Sequence, residues 1–132
     1  MNALDIAALV TALAIFLYEV VSFKVGRARA KYGVNVPATS GPEAFERVYR
    51  VQMNTLEQLV FFLPALWLCA FYMPKPWLVG GFGAGWILGR ILYAVGYYHD
   101  ASKRFPGFII ALFSANALLL AGLFGIIESI NG

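Results

Sequence analysis

ERVYRVQMNTLEQLVFFLPALWLCAFY, residues 46–72, joins two kinds of sequence without a break. Its head carries Glu46, Arg47, Arg50, Gln52, Asn54 and Glu57, and its tail from Leu59 onward carries no charge. A helix that spans a bilayer needs about 20 mostly apolar residues. Strands of a transmembrane barrel instead alternate polar and apolar positions over about ten residues. LVFFLPALWLCAFY does not alternate. The stretch reads as a membrane helix with a polar head, which makes the fold class all-α.

The rest of the chain repeats the apolar half of that pattern. Of 132 residues, 61% are hydrophobic and 13% charged, against about 25% charged in a soluble domain. The spans are expected at about 3–23, 45–73, 76–100 and 106–127, as one four-helix transmembrane domain covering 1–132. Pro76 and Pro106 suit a first helical turn, where no backbone donor is lost, and Pro64 is a candidate kink. PKP at 74–76 reads as a short turn and VNVPATSGP at 34–42 as a longer loop. The start, MNALDIAALVTALAIFLYEV, lacks a basic leader and a small-residue cleavage pattern, so it reads as a retained helix. Cys69 is the one cysteine. It cannot make an intrachain disulfide and reads as a small packing residue. With one His and one Cys far apart, no metal site is expected.

The basic residues orient the chain. Lys24, Arg27, Arg29, Lys31, Arg47, Arg50, Arg90, Lys103 and Arg104 fall to one side of the membrane and Lys75 alone to the other. The positive-inside rule places the first and third loops in the cytoplasm and both termini outside. In a membrane chain, a net charge of +3 speaks to orientation more than to nucleic acid. Helix 3 opens with Gly81, Gly85 and Gly89 on one face. Small residues at this spacing allow close helix approach, either within the four-helix unit or between subunits.

The polar groups share faces. With Arg50 at zero and about 100° per residue, Glu46 falls at about −40°, Arg47 at about +60°, Asn54 at about +40° and Glu57 at about −20°. Gln52 falls outside this wedge and faces a neighbouring surface. On helix 3, with Arg90 at zero, Tyr93 falls at about −60° and Tyr97 at about −20°. Asp100 and Arg104 continue that face at about −80° and about −40°. Charged groups in a spanning segment cost about 2.5–3.5 kcal/mol each at the bilayer centre unless they pair or line a wet cavity. An internal network joining Glu46 and Glu57 to Arg47, Arg50 and Arg90 is one reading. A polar-ligand site at the cytoplasmic end of helices 2 and 3 is the other, and the two are compatible. Pairing alone leaves Asn54, Tyr93, Tyr97 and Arg104 unexplained. Such donors fit a small polyanion, because arginine grips carboxylates with two parallel bonds. Glu57 suits an α-ammonium on the same ligand, and the flanking apolar surface suits a lipophilic second substrate.

FERVYRVQMNTLEQ resembles the helix-2 signature of the membrane-associated proteins in eicosanoid and glutathione metabolism, the MAPEG family. The pattern E-R-x-x-R-x-x-x-N-x-x-E fits at Glu46, Arg47, Arg50, Asn54 and Glu57, and RILYAVGYYHDASKR resembles the family's helix-3 stretch with its loop arginine. The likeness is nearest to the branch of microsomal glutathione transferases 2 and 3 and leukotriene C4 synthase. It implies a homotrimer in the bacterial inner membrane or endoplasmic reticulum, with glutathione as co-substrate between subunits, facing the cytoplasm. It further implies glutathione contacts from Arg29, Arg50, Gln52, Asn54, Glu57, Tyr93, Tyr97 and Arg104, with Gln52 reaching from the adjoining subunit. Arg104 is then the catalytic residue that stabilises the thiolate, and Glu46, Arg47 and Arg90 form a structural polar network. Gln58, Ala30 and Phe105 depart from residues of the leukotriene and prostaglandin branches. The implied activity is accordingly that of a glutathione transferase or peroxidase acting on lipophilic electrophiles or lipid hydroperoxides, in detoxification or lipid metabolism. A non-catalytic lipid-presenting member is the first alternative. A small multidrug transporter built around Glu19 is the second.

Overall fold

The computed structural model describes residues 1–132 and contains no strand. Its elements are α1 Ala3–Tyr32, α2 Glu43–Tyr72, α3 Pro76–His99, a 3-10 turn Ala101–Arg104, and α4 Phe105–Asn131. There are four helices long and apolar enough to cross a membrane, and the chain is an integral membrane protein. Leu9, Leu13, Phe16, Val20 and Phe23 on α1, and Phe113, Leu120 and Phe124 on α4, stay exposed. Acyl chains cover such surface at little cost, so the helices must adhere by close packing instead.

That packing is visible in which residues are buried. On α1 they are Ala3, Ala7, Val10 and Ala14, spaced three or four apart along one stripe. The centre holds Phe62 of α2 stacked on Trp86 of α3, with ring centroids 4.1 Å apart and planes 4° from parallel. Gly89 of α3 lies so close to α4 that an added Cβ would sit 2.7 Å from the Ala111 nitrogen. Gly85 meets the Ser114 side chain of α4, whereas Gly81 has nothing within 4 Å. The glycine face of helix 3 therefore serves, over its last two members, packing inside the four-helix unit.

The helix ends differ from expectation. The apolar run of α1 stops at Phe23, but the helix continues to Tyr32. Charge marks where the chain meets water, not where a helix stops, and Lys, Arg and Ala are all good helix formers. The stop comes at Gly33, which takes the left-handed conformation (φ 67°) and donates its amide to the Arg29 carbonyl. α4 likewise runs past Ile127 to Asn131. α2 continues through Pro64 as a single helix. Pro76 and Pro106 both lie in first turns.

Candidate functional site

The site is built where α2, α3 and the 3-10 turn meet. Arg50 and Glu57 stand two turns apart on α2, with Nη2 and Oε1 separated by 3.9 Å. Both side chains are half or more exposed, so the pair contributes at most about 1 kcal/mol and both groups remain available. Between them, the Asn54 amide donates to Glu57 Oε1 at 3.5 Å. The Asn54 Oδ1 atom is buried with no partner.

α3 supplies Tyr93 and Tyr97, whose rings meet edge to face at 5.5 Å. Arg104 reaches the same space from the 3-10 turn. Its Nη1 donates to the Ala101 carbonyl at 2.6 Å, and its guanidinium carbon lies 5.9 Å from the Tyr97 ring centre. Asp100 holds that turn in shape, accepting from the Ser102 amide at 2.8 Å and the Ser102 hydroxyl at 2.7 Å. These two bonds hold the Asp100 carboxyl below the usual carboxylate range. Gly96 lets the turn lie against α3, since a Cβ there would run into the Lys103 carbonyl.

Arg50, Asn54, Tyr93, Tyr97, Ala101, Arg104, Phe105 and Phe108 line one cavity of about 570 Å³. A second cavity of about 310 Å³ shares Arg50, Tyr97 and Ala101 and adds Glu43, Glu46, Arg47 and Asp100. The first combines two guanidinium groups, an amide and two phenols with an aromatic wall. The second places carboxylates beside it. Together they offer complementary charge to a ligand bearing both carboxylates and an ammonium group.

Glu57 stands beside the cavity through Arg50 and Asn54 but is not among the residues that line it, and two further expected contact residues lie elsewhere. Arg29 donates from Nη1 to the Ala38 carbonyl at 2.7 Å, pinning the α1–α2 loop, and its guanidinium lies over Phe45. Gln52 donates to the Ser22 hydroxyl of α1 at 3.2 Å. Neither lines the cavity. The three residues assigned to one polar network also separate. Glu46 accepts from the Gly41 amide, and Arg47 donates to the Tyr98 carbonyl. Arg90 is buried away from both, donating to Thr55 Oγ1 at 3.0 Å with its guanidinium 4.0 Å from the Tyr93 ring centre. Thr55 stands about 140° round α2 from Arg50, so it meets α3 where Glu57 cannot. Arg90 thus supports the back of Tyr93.

The family model that matches is MAPEG, over residues 7–124. The chain belongs to the MAPEG family. An uncharacterised Synechocystis protein is 58% identical over 120 residues, covering 91% of this chain and 87% of its own. Human microsomal glutathione S-transferase 2 is 39% identical over 108 residues, covering 82% of this chain and 73% of its own. Guinea-pig (Cavia porcellus) leukotriene C4 synthase is 37% identical over 97 residues, covering 74% of this chain and 64% of its own. In this MAPEG chain the residues that motif reading missed are Phe105 and Phe108, which wall the cavity, Glu43, which lines its neighbour, and Ala101, which lines both. The aromatic pair carries a weak signal: it follows Arg104 at helical spacing.

Proposed function

We propose that this protein is a membrane-bound glutathione transferase, assembled as a homotrimer, with its site toward the cytoplasm. The observation that carries the reading is the convergence of Arg50, Asn54, Tyr93, Tyr97 and Arg104 on one cavity. The names of the human and guinea-pig relatives point the same way. The fit to the tripeptide is chemical. Arg50 takes a carboxylate, Asn54 offers amide groups including its unpartnered oxygen, and Glu57 takes the ammonium, with Tyr93 and Tyr97 as further donors.

Arg104 supplies the activation. A free thiol ionises near pH 8.5, so little thiolate exists at neutral pH. A fixed cation lowers that value and raises the nucleophile's population. The guanidinium stays charged and takes no proton itself, so the thiol proton leaves to water. The thiolate sulfur then bonds to an electrophilic carbon of a bilayer-soluble substrate, and the leaving group departs with the bonding electrons. With a lipid hydroperoxide the sulfur attacks the outer oxygen and becomes a sulfenic acid, and the O–O bond breaks to an alkoxide that takes a proton from water to give the alcohol. A second glutathione thiol reduces the sulfenic acid, leaving glutathione disulfide and water. Phe105 and Phe108 offer the apolar flank such substrates need.

The test is glutathione titration of the purified full chain, read by equilibrium dialysis and by ultraviolet thiolate absorbance. Binding with thiolate formation near neutral pH is expected. Binding without thiolate would sink the activation role, and no binding at all would favour the lipid-presenting alternative. For the transporter alternative, proton-coupled efflux lost on Glu19→Gln would revive it.

A further inference from the structure

A cavity of about 390 Å³ lies apart from the candidate site, lined by Lys24, Arg27, Ala28, Lys31, Tyr32, Val48 and Tyr98. Its cations all come from the extended end of α1, at positions that share one helix face. None has a carboxylate partner, the one ion pair in the chain being Arg50–Glu57. Two ammonium groups are set by aromatic faces. Lys24 Nζ lies 5.3 Å from the Tyr98 ring centre, and Lys31 Nζ 5.4 Å from that of Tyr32. The Tyr98 hydroxyl is buried without a hydrogen-bond partner. Arg47 of α2 adds positive charge beside Tyr98, donating to its carbonyl. Nothing in the glutathione reading uses these groups.

We propose that this groove binds the phosphate of an anionic phospholipid headgroup. The choice of a lipid over a soluble phosphate rests on what lies one turn deeper. Val20 and Phe23 sit four residues before Lys24 and Arg27, on the same face, and both are exposed, as is Phe16 beyond them. A cationic groove that opens onto an apolar track has the two-part chemistry of a lipid. Phosphate oxygens accept from the cations and from the Tyr98 hydroxyl, and an acyl chain follows α1 into the bilayer.

The experiment is thermal unfolding of the detergent-solubilised full chain. The additives are dihexanoyl phosphatidylglycerol, dihexanoyl phosphatidylcholine and inorganic phosphate. A ligand that binds the folded state raises the melting temperature with its concentration. The phosphatidylglycerol response is expected to exceed both others. The triple variant K24Q/R27Q/K31Q should need about a hundredfold more lipid, roughly fivefold for each cation lost. Tyr98→Phe should weaken binding several-fold, and Lys103→Gln, outside the groove, should leave it unchanged. Equal responses to the two lipids would overturn the site. So would an unaffected triple variant, or an equal loss in Lys103→Gln. A full response to inorganic phosphate alone would overturn the lipid assignment. Should the triple variant not fold, Arg27→Gln and Tyr98→Phe decide the matter in the same way.

Discussion

Arg104 and Arg50 face the same cavity, yet the proposed function gives them different work. Arg104 projects from a short turn and is tethered to its own loop by the bond to the Ala101 carbonyl. A cation held in this way keeps its position while the sulfur's charge develops. Arg104→Ala should raise the pH at which the rate with an aryl halide levels off, and reduce turnover at neutral pH by about tenfold per pKa unit lost. An unchanged pH–rate profile at the wild-type rate would contradict the role. Arg50 sits on a helix beside Glu57 and Asn54, and in the proposed reaction it has no part in the bond that forms. Losing a charge-assisted hydrogen bond costs about 1.5–3 kcal/mol. Arg50→Ala should therefore raise KM for glutathione more than tenfold and leave kcat within a small factor. Steady-state kinetics separate the two variants, and a fall in kcat alone for Arg50→Ala would reverse the assignment.

At the scale of elements, the α3–α4 connection decides where Arg104 sits. Gly96 has no room for a Cβ because the Lys103 carbonyl occupies it. Gly96→Ala gains helix propensity, about 1 kcal/mol, but pushes the 3-10 turn off α3. The expected result is unchanged helical content by circular dichroism with turnover down about tenfold, as misplacement of a catalytic group would produce. Full activity would show that the turn tolerates the shift. The same turn should respond to acid. Asp100 has a folded-state pKa below its unfolded value because it accepts from Ser102. Its contribution is present above about pH 4 and is lost as pH falls further, through the folded value. Hydrogen exchange at the Ser102 amide should rise there in the wild type, and Asp100→Asn should abolish that pH dependence. The helices were legible because lipid demands a long apolar run, and the polar wedge because its period follows from the helix itself. Helix ends were less legible. The continuation of α1 to Tyr32 depends on a left-handed Gly33, and composition marks only the water boundary at Lys24.

Across the whole molecule, periodicity told which residues share a face but not which face meets which. Arg50, Asn54, Tyr93, Tyr97 and Arg104 line one cavity because two such faces point at one gap. Arg90 was given carboxylate partners by proximity in level, whereas the packing of α3 on α2 gives it Thr55. Gln52 turned instead to Ser22, and Arg29 to the loop it pins. If Arg29 and Gln52 touch glutathione at all, they must touch the molecule held by another copy. The proposed trimer makes this a complementation test. One chain carries Arg29→Ala with Gln52→Ala and keeps its own Arg104, and the other carries Arg104→Ala alone. Each should be weakly active by itself. In a closed ring, every mixed trimer contains one junction where an intact Arg104 meets a neighbour's intact Arg29 and Gln52. Random mixing of equal amounts should then restore about a quarter of wild-type activity, since about three quarters of trimers are mixed and each holds one intact site of three. Co-expressed chains no more active than the average of the two parents would confine each site to a single chain. A detergent-corrected mass other than three copies would remove the ring on which the arithmetic rests.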